Sequence, residues 1–484
     1  MDDETILFLQ CNHRIKKHKI QYRNEGSVNI NSFHTAICAG AQMHLFIKRR
    51  QSARMRIRMK VLIKNGFILD PATKKEGRFD LLIEGETISN VAEHIEDSNA
   101  TVIDASGKYV MPGFIDLHVH LREPGFEYKE TIQTGAKAAA AGGYTTICPM
   151  PNTNPTIDSP EMVEFLNQKS KSDAKIHIIP VGAVTVGQMG KELADIAGMA
   201  KAGALALSED GKSVMDVLVY VEGLKAAKEA GLVMFAHCED KQLVRNGAMN
   251  AGKKAEELNL RGITNAVEDI ITARDIFLAG ETGAKLHLCH CSTKASVALV
   301  KMAKELGIKV TAEVCPHHFI LSDEDIPGDD ANYKMNPPLR SKEDVEALKE
   351  GLKQNIMEVI ATDHAPHGEE EKKKSMANAP FGIVGSETAF CLTYTELVKT
   401  GYLSPMQMVE KMSYNPAKIL GIDKGSLEPG KMADIVIADF DAEYEIDATK
   451  FYSKGKNTPF HGRNVSGKVM LTMAAGEVVY QAEE

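Results

Sequence analysis

Six residues of two chemical kinds stand out in this chain: His118, His120, Asp210, His237, His290 and Asp363. Four imidazoles and two carboxylates suit a borderline divalent ion, with Zn2+ first. One ion rarely takes six protein ligands and keeps an open position, so a binuclear site with two ions per subunit is the natural reading. His118, His120 and Asp363 would hold one metal, His237 and His290 the other, and Asp210 would bridge both. Such a pair would hold a hydroxide at neutral pH by lowering the pKa of bound water. Each residue alone has a bland explanation. A lone strand histidine is usually a satisfied core residue, and an aspartate after a strand is usually a helix cap. Together they fall at the ends of several strands, which chance assembles poorly.

The elements that must position them are legible as short apolar runs. Eight read as buried strands: Gly113–His120, Tyr144–Pro149, Ile176–Val181, Ala204–Ser208, Leu232–His237, Lys285–His290, Lys309–Val314 and Met357–Thr362. Between them lie amphipathic stretches such as Lys129–Ala141, Asp216–Ala230, Asn265–Gly280 and Thr293–Leu306. This alternation predicts a parallel sheet. Its length fits a (β/α)8 TIM-like barrel over 113–421, which places chemistry at the C-terminal ends of its strands. A doubly wound open sheet is the rival, but no Gly-rich phosphate turn follows the first strand.

Residues two apart in a strand share a face. His118 and His120 therefore point together, with Val119 toward the outer helices. Phe235 and His237 share a face, with Cys238 opposite. The same alternation puts Leu286, Leu288 and His290 on the inner face and His287, Cys289 and Cys291 on the helix side. That argues against Cys289-His290-Cys291 as a zinc knuckle. His317 and His318 follow the seventh strand; a structural role near Pro316 is expected of them. Glu313, within that strand, is placed to orient a neighbour.

Strand texture returns outside the barrel, at Lys60–Gly66, Leu81–Glu86, Gly430–Ile437 and Gly467–Met473. Residues 59–112 and 422–484 are expected to form one small β-sandwich domain from both chain ends. Residues 1–58 look foreign to the rest. The first 60 residues hold twelve Lys/Arg against four Asp/Glu, so a net charge of −9 leaves the remainder at −17. The leader reads as a disordered extension, or as upstream sequence with Met55 and Met59 as candidate starts; a basic arm for nucleic acid or a membrane surface is the alternative. The acidic body argues against nucleic-acid binding. No apolar run approaches the roughly 20 residues that span a bilayer. Eight cysteines without a dense framework suit reduced thiols and a cytoplasmic location. The run Glu369–Lys374 reads as a solvated helical turn.

Asp116-Leu117-His118-Val119-His120-Leu121-Arg122-Glu123-Pro124-Gly125 resembles the opening motif of the dihydroorotases in the amidohydrolase superfamily. Ala361-Thr362-Asp363-His364-Ala365-Pro366-His367 is similar to their closing motif. Tyr333–Arg340 also fits, and Gly425–Asp434 resembles the superfamily's β-domain signature. The resemblance covers roughly 60–480 and omits the leader. It implies reversible closure of N-carbamoyl-L-aspartate to dihydroorotate, a step of pyrimidine synthesis. Many superfamily members bridge their metals with a carboxylated lysine after the fourth strand. Ser208-Glu209-Asp210-Gly211 has no lysine and resembles the bacterial type with an aspartate bridge. Glu209 is the other candidate; the order of glycine turn and acid favours Asp210.

The resemblance also implies substrate contacts. Arg122 is placed for a bidentate pair with the substrate carboxylate, and a structural ion pair with Glu123 is the alternative. Asn152 and His367 complete that grip. His120 and Leu121 also line the substrate, Asn336 holds the amide edge of the ring, and Phe381-Gly382 offers backbone contacts. In ring opening, the metal-bridged hydroxide would attack the carbonyl carbon next to nitrogen. Asp363 would accept its proton and pass it to the departing nitrogen. Dihydropyrimidinases and allantoinases are the nearest rivals, but their substrates lack the ring carboxylate. A non-catalytic scaffold for aspartate carbamoyltransferase would typically lose metal ligands, and none is lost here. An active enzyme could still bind that transferase, and a homo-oligomer is expected.

Overall fold

The eight apolar runs become eight parallel barrel strands, most of them shorter than the run. The computed structural model describes residues 60–483, so the leader lies outside the described residues. The barrel strands are, in order, Phe114–Val119, Tyr144–Pro149, a third in two pieces, Ala206–Ser208, Val233–Ala236, Lys285–Leu288, Val310–Val314 and Val359–Ile360. The third splits at Ile179-Pro180, because proline offers no N–H to a ladder. Its first piece, His177–Ile178, pairs with the second strand, and its second piece, Val181–Ala183, pairs with the fourth. The ring closes between first and eighth strands through a parallel bridge, Val119 with His364, where His120 N donates to His364 O at 2.8 Å.

The connecting helices start and stop on local signals. Asp216 caps Val217–Ala230 by accepting from the amides of Leu218 and Val219, and Gly231 ends it in the left-handed region at φ 76°. Thr293 caps Lys294–Glu305, and a Ser341–Asp344 capping box opens Lys342–Lys353. Their apolar faces, with Leu224, Val297, Val300 and Leu348, pack on the outside of the strands.

Two apolar layers follow from strand alternation. Ile115, Leu117, Val181, Ala206, Val233, Phe235, Cys289 and Val359 form an inner cluster, whereas Val119, Met234, Leu286, Leu288 and Cys291 join the helix layer. This corrects the expected faces of the sixth strand. His287 packs its ring 5.1 Å from Phe235, and Cys289 points inward, while Leu286 and Leu288 face the helices. His290 still reaches the barrel mouth, because the strand ends at Leu288 and His290 adopts a left-handed backbone, φ 35°. Cys289 and Cys291 lie in different layers, so the two do not flank one ion.

Apart from a short parallel pair, Met249–Asn250 with Gly262–Ile263, the remaining strands make one eight-stranded sheet from both parts of the sequence. Lys60–Asp70 pairs with Lys75–Glu84, Thr101–Asp104 and Tyr109–Pro112, and Ile435–Glu445 pairs antiparallel with Tyr109–Pro112. Ile63, Ile68, Leu81, Ile83, Ile435, Ile437 and Met473 share its buried core. Among the described residues no helix is long and apolar enough to cross a membrane.

Candidate active site

The first strand delivers His118 and His120 to the barrel mouth together. A register shift between Asp116 and Val119 lets it do so, although Ile115 and Leu117 already point inward. Asp116 anchors this bend: its carboxylate accepts from the amides of His118 and Thr362, each at 3.1 Å, and from the Thr362 hydroxyl at 2.5 Å. Burial pushes its pKa up to about 7 against those hydrogen bonds.

The six expected ligands converge. His118 Nε2 lies 3.3 Å from Asp210 Oδ1 and 3.6 Å from Asp363 Oδ1. His120 Nε2 lies 3.1 Å from Asp363 Oδ1 and 3.5 Å from Asp210 Oδ2. His237 Nδ1 and His290 Nε2 approach the same Asp210 Oδ1, at 3.5 and 3.7 Å, and stand 2.9 Å from each other. Asp210 is thus the carboxylate that all four imidazoles approach. Glu209 turns away and accepts from the amide and hydroxyl of Thr185 at 2.6 and 2.8 Å.

This donor set fits divalent cations. His118 Nε2 is buried without a hydrogen-bond partner, and two imidazole nitrogens face each other at 2.9 Å, where lone pairs would repel unless a proton or cation intervenes. Burial opposes charge on Asp210 and Asp363, but the imidazoles around them hold both carboxyls well below the usual range.

Two outer residues set which nitrogen each leading histidine presents. Glu313, fully buried, accepts from His118 Nδ1 at 3.0 Å, His287 Nε2 at 3.0 Å and the His290 amide at 3.1 Å. Burial works against its charge, yet the His118 and His287 bonds hold its pKa down at about 2. Asn152 Oδ1 accepts from His120 Nδ1 at 3.0 Å, while its Nδ2 donates to Asp210 Oδ2 at 2.9 Å. Both leave Nε2 facing the carboxylates, the usual arrangement around a metal-binding histidine. Asn152, expected at the substrate, has both ends engaged within the cluster.

Beside the cluster lies a cationic recess. Arg122 donates from Nε to Pro366 O at 3.2 Å, and its Nη2 is 3.4 Å from His367 Nε2. It makes no ion pair with Glu123, whose carboxylate accepts from the Ile132 amide and pairs with Lys169. His367 Nε2 is 2.7 Å from Phe381 O, and Lys129 Nζ is 3.3 Å from His367 Nδ1. Burial, then Arg122, Lys129 and Lys372, drives the His367 pKa down to about 2. Gly382, at φ 126°, sits where a Cβ would meet the Ala365 Cβ at 2.7 Å. Its N–H is spent on Lys334 O at 3.0 Å. Asn336 Nδ2 donates to Glu239 Oε2 at 2.5 Å, and Glu239 lies 3.9 Å from His237 Nε2. Leu121 departs from expectation: its side chain packs in the helix layer with Ile132 and Ala136, away from the recess.

Sequence reasoning assigned no role to Lys129, Glu239, Asp116 or Lys372. Glu239 carries a signal, standing two residues past His237; Lys129 and Lys372 carry none. Lys372 also corrects the reading of Glu369–Lys374 as solvated. Its Nζ donates to the carbonyls of Lys334, Pro380 and Gly382 at 2.9–3.3 Å, and Glu371 pairs with Lys129 at 2.9 Å. His317 and His318 stay outside the cluster; His318 donates from Nε2 to Pro337 O at 2.8 Å.

Residues 107–296 match the dihydro-orotase-like family, and residues 380–480 match the amidohydrolase family. A dihydroorotase of Bacillus licheniformis is 49% identical over 423 residues, covering 87% of this chain and 99% of its own length. A dihydroorotase of Staphylococcus aureus is 48% identical over 424 residues, covering 87% and 100%. Among solved structures, an L-hydantoinase (dihydropyrimidinase) from Arthrobacter aurescens superposes with a TM-score of 0.79 at 27% identity, covering 88% of this chain and 96% of that one. A dihydropyrimidinase from Brevibacillus agri gives 0.77 at 26%, covering 87% and 95%. A (β/α)8 barrel with a β-sandwich domain is thus shared with cyclic-amide hydrolases, and identity near one half over nearly the whole of several relatives narrows the relation: the chain belongs to the dihydroorotase family of the amidohydrolase superfamily.

Proposed function

We propose that this protein closes N-carbamoyl-L-aspartate to dihydroorotate reversibly, using divalent ions held by His118, His120, Asp210, His237, His290 and Asp363. The observation that carries the substrate choice is Arg122. It is a buried-side guanidinium beside the cluster that has no carboxylate of this chain within ion-pair distance among the described residues. An unpaired guanidinium calls for an anionic ligand, and a ring carboxylate supplies it in bidentate form.

Bound ions would supply Lewis-acid polarisation of the amide carbonyl and activation of water at neutral pH. Zn2+, two per subunit, suits the nitrogen-rich donor set. The chain's own groups do the rest. Arg122 and His367 grip the carboxylate, and Asn336 lies toward the amide edge through Glu239. In ring opening, water oxygen adds to the carbonyl carbon next to the ring nitrogen. Asp363 takes the water proton and returns it to that nitrogen as the C–N bond breaks. The reverse sequence forms the C–N bond and releases water. Residues 113–421 form the catalytic barrel, and 59–112 with 422–484 the β-domain that supports it. The six free cysteines in the described region, all buried, suit a reducing cytoplasm. Self-association and association with aspartate carbamoyltransferase carry over from the resemblance; light scattering of the chain alone and mixed with the transferase reads both.

The deciding experiment measures turnover of dihydroorotate, dihydrouracil and allantoin, with elemental analysis of the same sample. Turnover of dihydroorotate far above the other two, lost on chelation and regained with Zn2+, is expected. Preference for dihydrouracil, as the solved neighbours' names would suggest, overturns the substrate assignment.

A further inference from the structure

His367 can present either of two nitrogens, and the recess dictates which. The Phe381 carbonyl, 2.7 Å from Nε2, only accepts, so Nε2 must carry a proton. The Lys129 ammonium, 3.3 Å from Nδ1, only donates, so Nδ1 must be bare. The two contacts define one neutral tautomer. Glu371 would undo it. Its Oε2 lies 3.6 Å from His367 Nδ1, close enough to draw a proton there and make an imidazolium. Lys129 intervenes: it pairs with Glu371 Oε1 at 2.9 Å and takes the Nδ1 lone pair. Lys129 is itself held, with its Nζ 5.4 Å from the Tyr128 ring centre and 5.7 Å from that of Phe126. The remaining charges facing His367 are Arg122, 3.4 Å away, and Lys372, whose Nζ donates to the Gly382 carbonyl at 2.9 Å.

We propose that Lys129 is the positioning residue that holds His367 neutral, with its one proton on Nε2 toward the Phe381 carbonyl, so that a neutral ring and not a second cation stands beside Arg122 where the substrate carboxylate binds. This rests on the reading of His367 as a substrate contact. A neutral ring beside Arg122 keeps the grip on the carboxylate constant across the physiological range. An imidazolium paired with Glu371 would make it vary with pH. Lys129 does this without touching the substrate or the metal ligands. The low folded pKa of His367 agrees with the geometry, since burial and the three cations all act against its charge.

The test combines nitrogen NMR of the histidine-labelled, metal-loaded enzyme with the pH dependence of KM. The His367 signals are assigned by their loss in His367→Gln. In the native enzyme they keep the neutral pattern, proton on Nε2, from pH 9 down to pH 6. In Lys129→Met they titrate within that range, and Lys129→Arg restores the native pattern. The ratio of the Lys129→Met KM to the native KM should fall about tenfold as pH drops through the ordinary imidazole range, the size of one charge-assisted hydrogen bond. In a His367→Gln background the same lysine substitution should leave a flat ratio. Unchanged His367 signals in Lys129→Met overturn the inference while leaving the substrate reading intact. A native KM in His367→Gln overturns the substrate reading, while the NMR result still decides the role of Lys129.

Discussion

Two pairs of histidines stand at strand ends in this barrel, His118 with His120 and His317 with His318, and their environments diverge. The rings of the first pair are 5.5 Å apart and those of the second 4.3 Å; all four are buried. Two carboxylates, Asp210 and Asp363, oppose the first pair, and Glu313 backs it. The second pair shares its neighbourhood with Cys315 and has no acid among its close donors. The consequence is opposite electrostatics. Burial works against charge on His118, but Asp210 outweighs it and raises the imidazole well above its ordinary value. Burial and the adjacent imidazole drive His317 well below it, and burial brings His318 down to about 3. Paired histidines in this barrel become a place for cations where carboxylates face them closely, and are held neutral by burial where an acid, Asp363, acts only at longer range.

The contrast can be broken from either side. Asp363→Asn removes a facing carboxylate and, on the proposed mechanism, the proton carrier; turnover should fall by about 10²–10⁴ or more, with dihydroorotate binding followed by calorimetry. Near-native turnover would remove Asp363 from the chemistry. Arg122→Met should raise KM about 10²-fold or more, the cost of losing a charged bidentate partner, and reduce discrimination against dihydrouracil in competition assays. Glu313→Gln leaves every ligand in place but weakens the bond that orients His118; metal affinity by competitive chelation should drop about 10–100-fold. A native affinity would mean that His118 needs no support.

The smallest effect belongs to the second pair. His318 has a folded pKa of about 3 against 6.5 unfolded, so between those values the unfolded chain binds more protons. It therefore makes stability fall as pH drops from 6.5 toward 3. His318→Leu should flatten that slope in denaturant titrations at successive pH values, while changing turnover by less than about tenfold. A loss of turnover as large as that of Asp363→Asn would put His318 in the site.

Much of this contrast was legible in the chain. The six converging residues stood out because they fall at the C-terminal ends of apolar runs, and the runs became strands within a few residues. What alternation could not show is where it fails. Arg122, His290 and Asp363 adopt left-handed backbones, φ 61°, 35° and 46°, each costing about 1–3 kcal/mol and each turning a side chain away from its strand's phase. For this reason Cys289 was placed on the wrong face although His290 was placed on the right one. Leu121 was carried into the recess by its neighbours in the motif, when its side chain faces Gly135 on the adjoining helix. Glu371 and Lys372 looked like one solvated charge run because their partners, Lys129 and three distant carbonyls, are brought near only by folding.

The closure between first and eighth strands has a consequence for the order of assembly. His120 and Asp363 are 243 positions apart, and the bridge from Val119 to His364 lies between them in space. No partial barrel can bring the two together, whichever end starts to fold. A chain interrupted anywhere between these strands can hold most of its hydrophobic contacts and still lack part of the His118, His120 and Asp363 group. The joint thus serves as a proof of completion: competence arrives in a single step, with the last strand, and not by degrees.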